Sequence, residues 1–231
     1  MISQAVSIKG PMSTTLFRMI FSDERGQMAL VGFLNSMLKT LSEIVSVQVR
    51  GPRSGKYPQH EAVSNLDIRA VLANKSAVEI KLYMVPKCTT PTAAHYLASS
   101  WIRSELRSGG FSSYRRAAVA IILVAEELFP NRPTEFEVSF SLQQDDPGPE
   151  VLRDVVGRVQ IKFLEIMKAN RLWQERKLTL DDMRLGAWLG FLADPCSQSV
   201  DEACLYMPEL QDAREVLNEI MAEEDISEMV Y

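Results

Sequence analysis

The run of residues that most constrains the fold is Ala117–Ala125, AAVAIILVA, in which every side chain is apolar. The run is rich in β-branched residues and too short for a fully buried helix of ordinary length, so it predicts a central strand of a sheet. It is also far short of the ~20 residues that a membrane-spanning helix needs.

A second stretch, Asn65–Leu82 (NLDIRAVLANKSAVEIKL), predicts two short alternating strands around a turn. Because successive side chains of a strand point to opposite faces, one face of this hairpin is apolar and the other is charged. The charged face carries Asp67, Arg69, Glu79 and Lys81. Such a face is either a solvated surface or the floor of an active site.

The register of the hairpin decides whether these charges meet, because a slip of one residue sends one strand's charged set to the opposite face. A three-residue turn at positions 73–75, with its second or third residue in the left-handed conformation, keeps them together. Asp67 then faces Lys81, and Glu79 lies diagonal to Asp67, within side-chain reach of a shared ion.

The elements around the hairpin predict an α-β-β-β-α-β order. Two helices are expected within Ser13–Thr40, followed by a strand at Ile44–Arg50 and a breaker-rich loop at Gly51–Pro58. A helix over Thr92–Arg107, ending before a glycine pair, separates the hairpin from the apolar run. A right-handed crossover of this kind makes the second hairpin strand and the apolar run parallel neighbours in a mixed sheet.

The rest of the chain predicts two more strands and two helices. The expected bounds are strands at Glu135–Leu142 and Val159–Met167, a loop at Gln143–Pro149, and helices at Thr179–Leu192 and Pro208–Glu224.

Charge is divided unevenly along the chain. The net charge is −5, but residues 194–231 contain eleven Asp or Glu and one Arg, which gives −10 and leaves +5 for residues 1–193. A mildly basic body permits phosphate binding, and the acidic segment is either a solvated helix or a shield for that body. We expect a domain over residues 1–193 and an acidic helical appendage over residues 194–231.

Cysteine and histidine placement argues against a zinc site or a disulfide framework. Cys88, Cys196 and Cys204 are scattered, and His60 and His95 lack ligand spacing to them. The N-terminus also lacks the pattern of a secretory signal. We therefore expect reduced thiols in a cytoplasmic protein.

Several stretches together carry a family pattern around the D-x₁₁-ExK spacing of Asp67, Glu79 and Lys81. They are TLFRMIFSDERGQMALVGFLNSML (residues 15–38), YLASSW, SGGFSSY, AAVAIILV, QIKFLEIMK, WLGFL and PELQDAREVL. In these stretches, from about Met12 onwards, the chain resembles the PD-(D/E)XK nuclease superfamily, in particular its transposase-like branch of Rpn-type recombination-promoting nucleases. The resemblance implies an α/β, restriction-endonuclease-like αβββαβ core with a mixed sheet and C-terminal helices.

The resemblance also implies a chemistry, namely Mg²⁺-dependent hydrolysis of DNA with Mn²⁺ as a substitute ion. Asp67, Glu79 and the backbone carbonyl of Ile80 would hold the ion, since hard oxygen ligands suit Mg²⁺. Lys81 would orient or help deprotonate the attacking water, or bind the phosphate. Recombination, or defence against foreign DNA, is the process that the resemblance suggests.

Basic residues elsewhere are candidates for tracking a nucleic-acid backbone. Four lie near the end of the crossover helix, and three lie at the end of the first strand or in the loop after it: Arg103, Arg107, Arg115, Arg116, Arg50, Arg53 and Lys56. They serve equally well as a solvated rim.

Departures from the branch pattern keep alternatives open. Thr14 stands where the branch commonly has an acidic residue, and Thr92 where it has an arginine, whereas Lys81 restores the general superfamily form. One alternative is a catalytically degenerate nuclease fold that acts as a binding or interaction module. Another is the same chemistry on RNA, because a metal–phosphate mechanism does not read the sugar. A homodimer is also open.

Overall fold

The computed structural model describes residues 14–39, 42–50, 64–85, 117–141 and 159–229. The strands are β1 (Ile44–Arg50), β2 (Ser64–Leu72), β3 (Ala77–Val85), β4 (Ala117–Val124), β5 (Glu137–Ser141) and β6 (Val159–Glu165). The helices are α1 (Thr14–Ser22), α2 (Gln27–Met37), α3 (Ile166–Gln174), α4 (Met183–Ala193), α5 (Gln198–Cys204) and α6 (Pro208–Met229). Within this described part, the strands form one mixed sheet in the order β1-β2-β3-β4-β6-β5.

The apolar run forms β4, the central strand that its composition predicted. β4 pairs in parallel with β3 on one side and with β6 on the other. Its residues from Val119 to Val124 are buried, and they alternate between two cores on opposite faces of the sheet. The parallel pairing of β3 with β4 confirms the predicted neighbours, while the predicted helix over residues 92–107 lies outside the described residues.

The hairpin of β2 and β3 has the predicted register. Asp67 is paired with Lys81 and Arg69 with Glu79. The turn spans residues 73–75, and Lys75 adopts the left-handed conformation with φ of 66°. The Leu72 N–H donates to the Ser76 carbonyl across the turn at 2.9 Å. A three-residue turn with a left-handed third residue therefore confirms the predicted geometry.

The main core lies between one face of the sheet and the helices. From the hairpin it receives the apolar set Leu66, Ile68, Ala70, Val78 and Ile80. From the helices it receives aromatic rings, of which Phe33 stacks on Phe21 at 5.4 Å and lies 5.2 Å from Trp188. Apolar side chains of all six helices belong to this core. The charged face of the hairpin therefore points away from the helical layer.

The acidic C-terminal segment contributes to the same core over its described residues. Its buried side chains are Val200, Ala203, Cys204, Met207, Leu210, Ala213, Val216, Leu217 and Ile220. Two acidic residues of α6 form ion pairs with the basic body, Glu209 with Arg184 and Glu219 with Arg25. The division of the chain at residue 194 stays a prediction.

Several boundaries differ from the sequence predictions. β6 ends at Glu165, so the last two residues of the predicted strand begin helix α3, which the sequence reading missed. Helix α5 was missed as well, because seven residues give too short a periodic pattern. The predicted strand at 135–142 shortens to β5. The helix expected at 179–192 begins instead as a 3₁₀ turn at 180–182. The loops predicted at 51–58 and 143–149 lie outside the described residues.

None of the described helices has the length and apolar character that crossing a membrane requires.

A buried ion pair joins the end of β6 to the start of α3. The Lys168 Nζ lies 2.5 Å from Glu165 Oε2, and both side chains are 1% exposed. Glu165 Oε1 accepts hydrogen bonds from the backbone N–H of Leu128 and, at 2.9 Å, of Phe129. Both carboxylate oxygens therefore have partners, as a buried charge requires.

The ammonium of Lys168 is bound from several sides by the segment that connects β4 to β5. It donates to the carbonyl oxygens of Phe129 at 3.0 Å, Arg132 at 3.2 Å and Glu135 at 3.4 Å. The Glu127 carboxylate lies 3.2 Å away. The pair thus ties the chain after β4 to the junction of β6 and α3.

We expect the loss of either partner to destabilise the fold strongly. Lys168→Met or Glu165→Gln should each lower the free energy of unfolding by about 3–5 kcal/mol, because each takes the buried charge partner from the group that remains. The double variant should lose less than the sum of the two. Urea unfolding measures all three.

The matched control is the exposed pair of Arg132 and Glu135, whose charged atoms lie 3.0 Å apart. Removal of either side chain there should change the unfolding free energy by about 1 kcal/mol or less. Additive losses in the buried pair would contradict the coupling.

Candidate active site

The charged face of the hairpin gathers the three residues that the D-x₁₁-ExK spacing singled out. Asp67 lies on β2, Glu79 and Lys81 lie on β3, and each alternates with a core residue such as Ile68 or Ile80. Strand alternation therefore directs all three side chains to the face opposite the main core. Their side chains are 49%, 25% and 21% exposed in that order, so solvent reaches this face.

Two acidic side chains are neighbours on this face. Asp67 is paired with Lys81 across the strands, and Lys81 Nζ lies 3.7 Å from Asp67 Oδ1. Glu79 is two residues from Lys81 on the same strand, which places it diagonal to Asp67. Diagonal positions of an antiparallel pair are ~7–8 Å apart between Cα atoms, and long side chains bridge that distance. The two carboxylates can therefore converge on one ion.

Edge strand β1 adds Arg50, which the sequence suggested only as a contact to a nucleic-acid backbone and not as a neighbour of the carboxylates. Arg50 is paired with Asp67 in the sheet register, and its Nη1 lies 3.2 Å from Glu79 Oε2. The alternation of IVSVQVR was a signal that Ser46, Gln48 and Arg50 share one face. The register of β1 against β2 was not readable, because residues 51–63 separate the two strands.

Cations and carboxylates alternate across β1, β2 and β3. Arg50, Arg69 and Lys81 are basic, whereas Asp67 and Glu79 are acidic, so this charged face has a formal charge of +1. Each carboxylate lies beside at least one cation. A divalent ion bound here would raise the formal charge of the face to +3, and the phosphates of an anionic backbone would offset that charge.

The donor set fits a hard divalent ion. No cluster of three or more His, Cys, Asp or Glu side chains occurs among the described residues, so the protein would supply two carboxylates here. Mg²⁺ is bound in this way, through one or two carboxylates with waters and substrate phosphate as the remaining ligands.

The backbone carbonyl of Ile80 is less well placed for an ion than the two carboxylates. Ile80 is paired with Ile68 on β2 and with Val119 on β4, and backbone carbonyls of a sheet lie in its plane. Its role as a ligand stays a prediction.

The side of the face towards β4 is apolar. Lys81 is paired with Ala120, and Tyr83 is paired with Ile122 in the next row of this face. Tyr83, Ala120 and Ile122 are buried. Tyr83, Ala120, Ile122 and Phe163 belong to a second, smaller core on this side of the sheet. Among the described residues, the polar and solvent-accessible part of this face therefore lies over β1 and β2.

The remaining candidate residues lie outside the part of the chain that the structure describes. They are the predicted nucleic-acid contacts Arg53, Lys56, Arg103, Arg107, Arg115 and Arg116, together with Thr92. Thr14 begins helix α1, but its side chain is outside the described part. The roles of these residues stay predictions.

Comparison with protein families identifies the family of the chain. A family model described as a PD-(D/E)XK nuclease family transposase matches residues 11–230. Comparison with the curated proteins and with the solved structures gives no match. The mixed sheet with its C-terminal helices is consistent with the restriction-endonuclease-like fold of that superfamily. Because the match spans nearly the whole sequence, the chain belongs to the PD-(D/E)XK nuclease family, among its transposases.

Proposed function

We propose that the protein is a divalent-metal-dependent endonuclease that hydrolyses the phosphodiester bonds of DNA. The observation that carries the proposal is the meeting of Asp67, Glu79 and Lys81 on one solvent-exposed face of adjacent strands. Membership of the PD-(D/E)XK nuclease family supports nuclease chemistry at that face.

Asp67 and Glu79 are the proposed metal ligands, with Mg²⁺ as the ion and Mn²⁺ as its substitute. Mg²⁺ bound there would act as a Lewis acid, supplying an activated water and offsetting charge on the phosphate oxygens. The carbonyl of Ile80 is the weakest of the proposed ligands because it lies in the plane of the sheet.

Lys81 is the proposed positioning group for the water or the phosphate. Its ammonium lies 3.7 Å from the Asp67 carboxylate, so it reaches the space next to the proposed ion. A lysine there supplies a compact charge with three rotatable donors, which suits a phosphate oxygen or a water without fixing either rigidly.

The proposed substrate is DNA, which follows from the family's description as transposases. Arg53, Lys56, Arg103, Arg107, Arg115 and Arg116 are proposed to hold its backbone through charge, without reading sequence. Recombination or defence against foreign DNA in the cytoplasm is the proposed setting, with a homodimer as the proposed assembly. RNA is the alternative substrate for the same chemistry.

A catalytically degenerate fold that acts as a binding module is the second candidate function. The observation that favours it is that Asp67 and Glu79 are each already paired with a cation, Lys81 and Arg50. Cross-strand ion pairs of this kind also occur on sheet faces without any catalytic role. Thr14 and Thr92, where the branch has charged residues, favour the same candidate.

We expect the three site residues to be required for cleavage of plasmid DNA in Mg²⁺ or Mn²⁺. Asp67→Asn, Glu79→Gln and Lys81→Met should each lower the cleavage rate by at least about 100-fold, because each removes charge stabilisation from the transition state. Gel analysis of supercoiled, nicked and linear plasmid measures the rate.

A cross-strand pair on the opposite face of the same sheet is the control. Lys162 Nζ lies 2.5 Å from Glu137 Oε1, and Glu137→Gln should cleave at the wild-type rate. Equal cleavage by the wild type and all the variants would identify the activity as a contaminant.

Calorimetric titration with Mn²⁺ separates the enzyme from the degenerate module. The enzyme should bind the ion, and Asp67→Asn and Glu79→Gln should each abolish the heat of binding, since the protein supplies few other ligands. A wild-type protein that unfolds cooperatively yet takes up no Mn²⁺ would instead support the binding module.

A further inference from the structure

Arg50 lies beside Glu79, one of the two proposed metal ligands. Its Nη1 lies 3.2 Å from Glu79 Oε2, and its Cα is paired with that of Asp67 on the intervening strand. The guanidinium therefore reaches across β2 to the carboxylate of β3. This hydrogen bond joins β1 to one of the two proposed metal ligands.

The ion pair between Arg50 and Glu79 is one in which another cation can replace Arg50 at little cost in free energy. The Arg50 side chain is 47% exposed, so solvent and salt screen its attraction to the carboxylate. Such pairs contribute little because two flexible side chains must be ordered to make them. A divalent ion at Glu79 carries twice the charge of the guanidinium and competes for the same oxygen.

A released Arg50 has a second partner within reach. Towards β4 the charged face is apolar and buried at Tyr83, Ala120 and Ile122, so among the described residues its solvent-accessible part lies towards the β1 edge. Arg50 stands on that edge. Its planar fork of donors matches a phosphate as well as a carboxylate.

We propose that Arg50 is an exchangeable counter-ion of the active site. It neutralises Glu79 while no divalent ion is bound, leaves Glu79 when the ion binds, and then contacts a phosphate oxygen of the nucleic acid. This assignment rests on the proposed nuclease function. It adds a sequence of binding events, in which the divalent ion binds first and releases Arg50, and Arg50 then binds the nucleic acid.

Exchange predicts effects of opposite sign on two ligands. Removal of the charge of residue 50 takes away one cation that competes with the ion for the Glu79 carboxylate, so the affinity for a divalent cation rises. The same change removes a phosphate contact, so the affinity for nucleic acid falls. An arginine that only stabilised the edge strand would change neither affinity once the protein was folded.

The first measurement is calorimetric titration with Mn²⁺ in the absence of nucleic acid. Arg50→Gln should bind Mn²⁺ roughly two- to tenfold more tightly than the wild type, whereas Arg50→Lys, which keeps the charge, should stay within about twofold. Arg132→Gln is the matched control, because it removes one charge from the exposed Arg132–Glu135 pair away from the charged face, and its Mn²⁺ affinity should equal that of the wild type.

The second measurement is fluorescence anisotropy of a labelled DNA duplex in Ca²⁺, an oxygen-seeking ion that fits carboxylate ligands. Arg50→Gln should bind the duplex about three- to tenfold more weakly at physiological salt, with the slope of log affinity against log salt reduced by about one. Arg50→Thr removes the same charge with a residue that favours strands, and it serves as a second variant if Arg50→Gln fails to unfold cooperatively.

The outcomes separate the two proposals. Equal Mn²⁺ affinities for the wild type and the charge-removing variants would overturn the exchange and leave the metal site standing. An unchanged duplex affinity would overturn the phosphate contact. If neither the wild type nor the variants bound Mn²⁺, both the exchange and the metal-dependent nuclease would be overturned.

Discussion

The pairing register of β2 and β3 is the constraint on which the rest of the structure depends. In this register Leu66, Ile68 and Ala70 enter the main core while Asp67 meets Lys81 on the opposite face. A slip of one residue on β2 would bury Asp67 against the helices and expose Ile68, at the cost of an unpaired buried carboxylate. The same burial that stabilises the fold therefore aligns the charged face. The three-residue turn with a left-handed Lys75 favours the same pairing register locally.

The acidic C-terminal segment and the charged face of the hairpin lie on opposite sides of the sheet. The helices, including the described part of the acidic segment, pack on the main-core face, and Glu209 and Glu219 are paired there with Arg184 and Arg25. The charged face of the hairpin lies on the other side of the sheet. Because the sheet and the main core separate the two, the described acidic residues do not cover Asp67 and Glu79. The uneven charge noted along the sequence is thus compatible with an anionic ligand at the hairpin.

Local patterns of the sequence predicted the centre of the fold well, and long-range contacts set the limit. AAVAIILV and the hairpin were readable because their information lies within a few residues, and the register followed from the turn. The contact between Arg50 and Glu79 joins strands separated by a long connection, so no local signal fixed it. The sequence predicts a strand over Val159–Met167, which continues two residues beyond the observed end of β6. The apolar residues of this stretch fit the periodicity of a strand as well as that of a helix. The strand ends at Glu165, whose buried ion pair with Lys168 is a contact that the periodicity does not reveal.

Two acid–lysine pairs in this chain show why residue types alone do not locate a site. Glu165 and Lys168 lie three residues apart and are buried, with their polar atoms committed to backbone amides and carbonyls of a neighbouring segment. Release of that carboxylate to an ion would leave the buried ammonium of Lys168 with the partly exposed Glu127 carboxylate as its acidic neighbour, which is costly. Glu79 and Lys81 lie on a strand at a solvent-exposed face, where screened pairs exchange at little cost. A site for a divalent ion and a phosphate requires a carboxylate that can change partners. Glu79 of the hairpin meets that requirement, whereas the buried Glu165 does not.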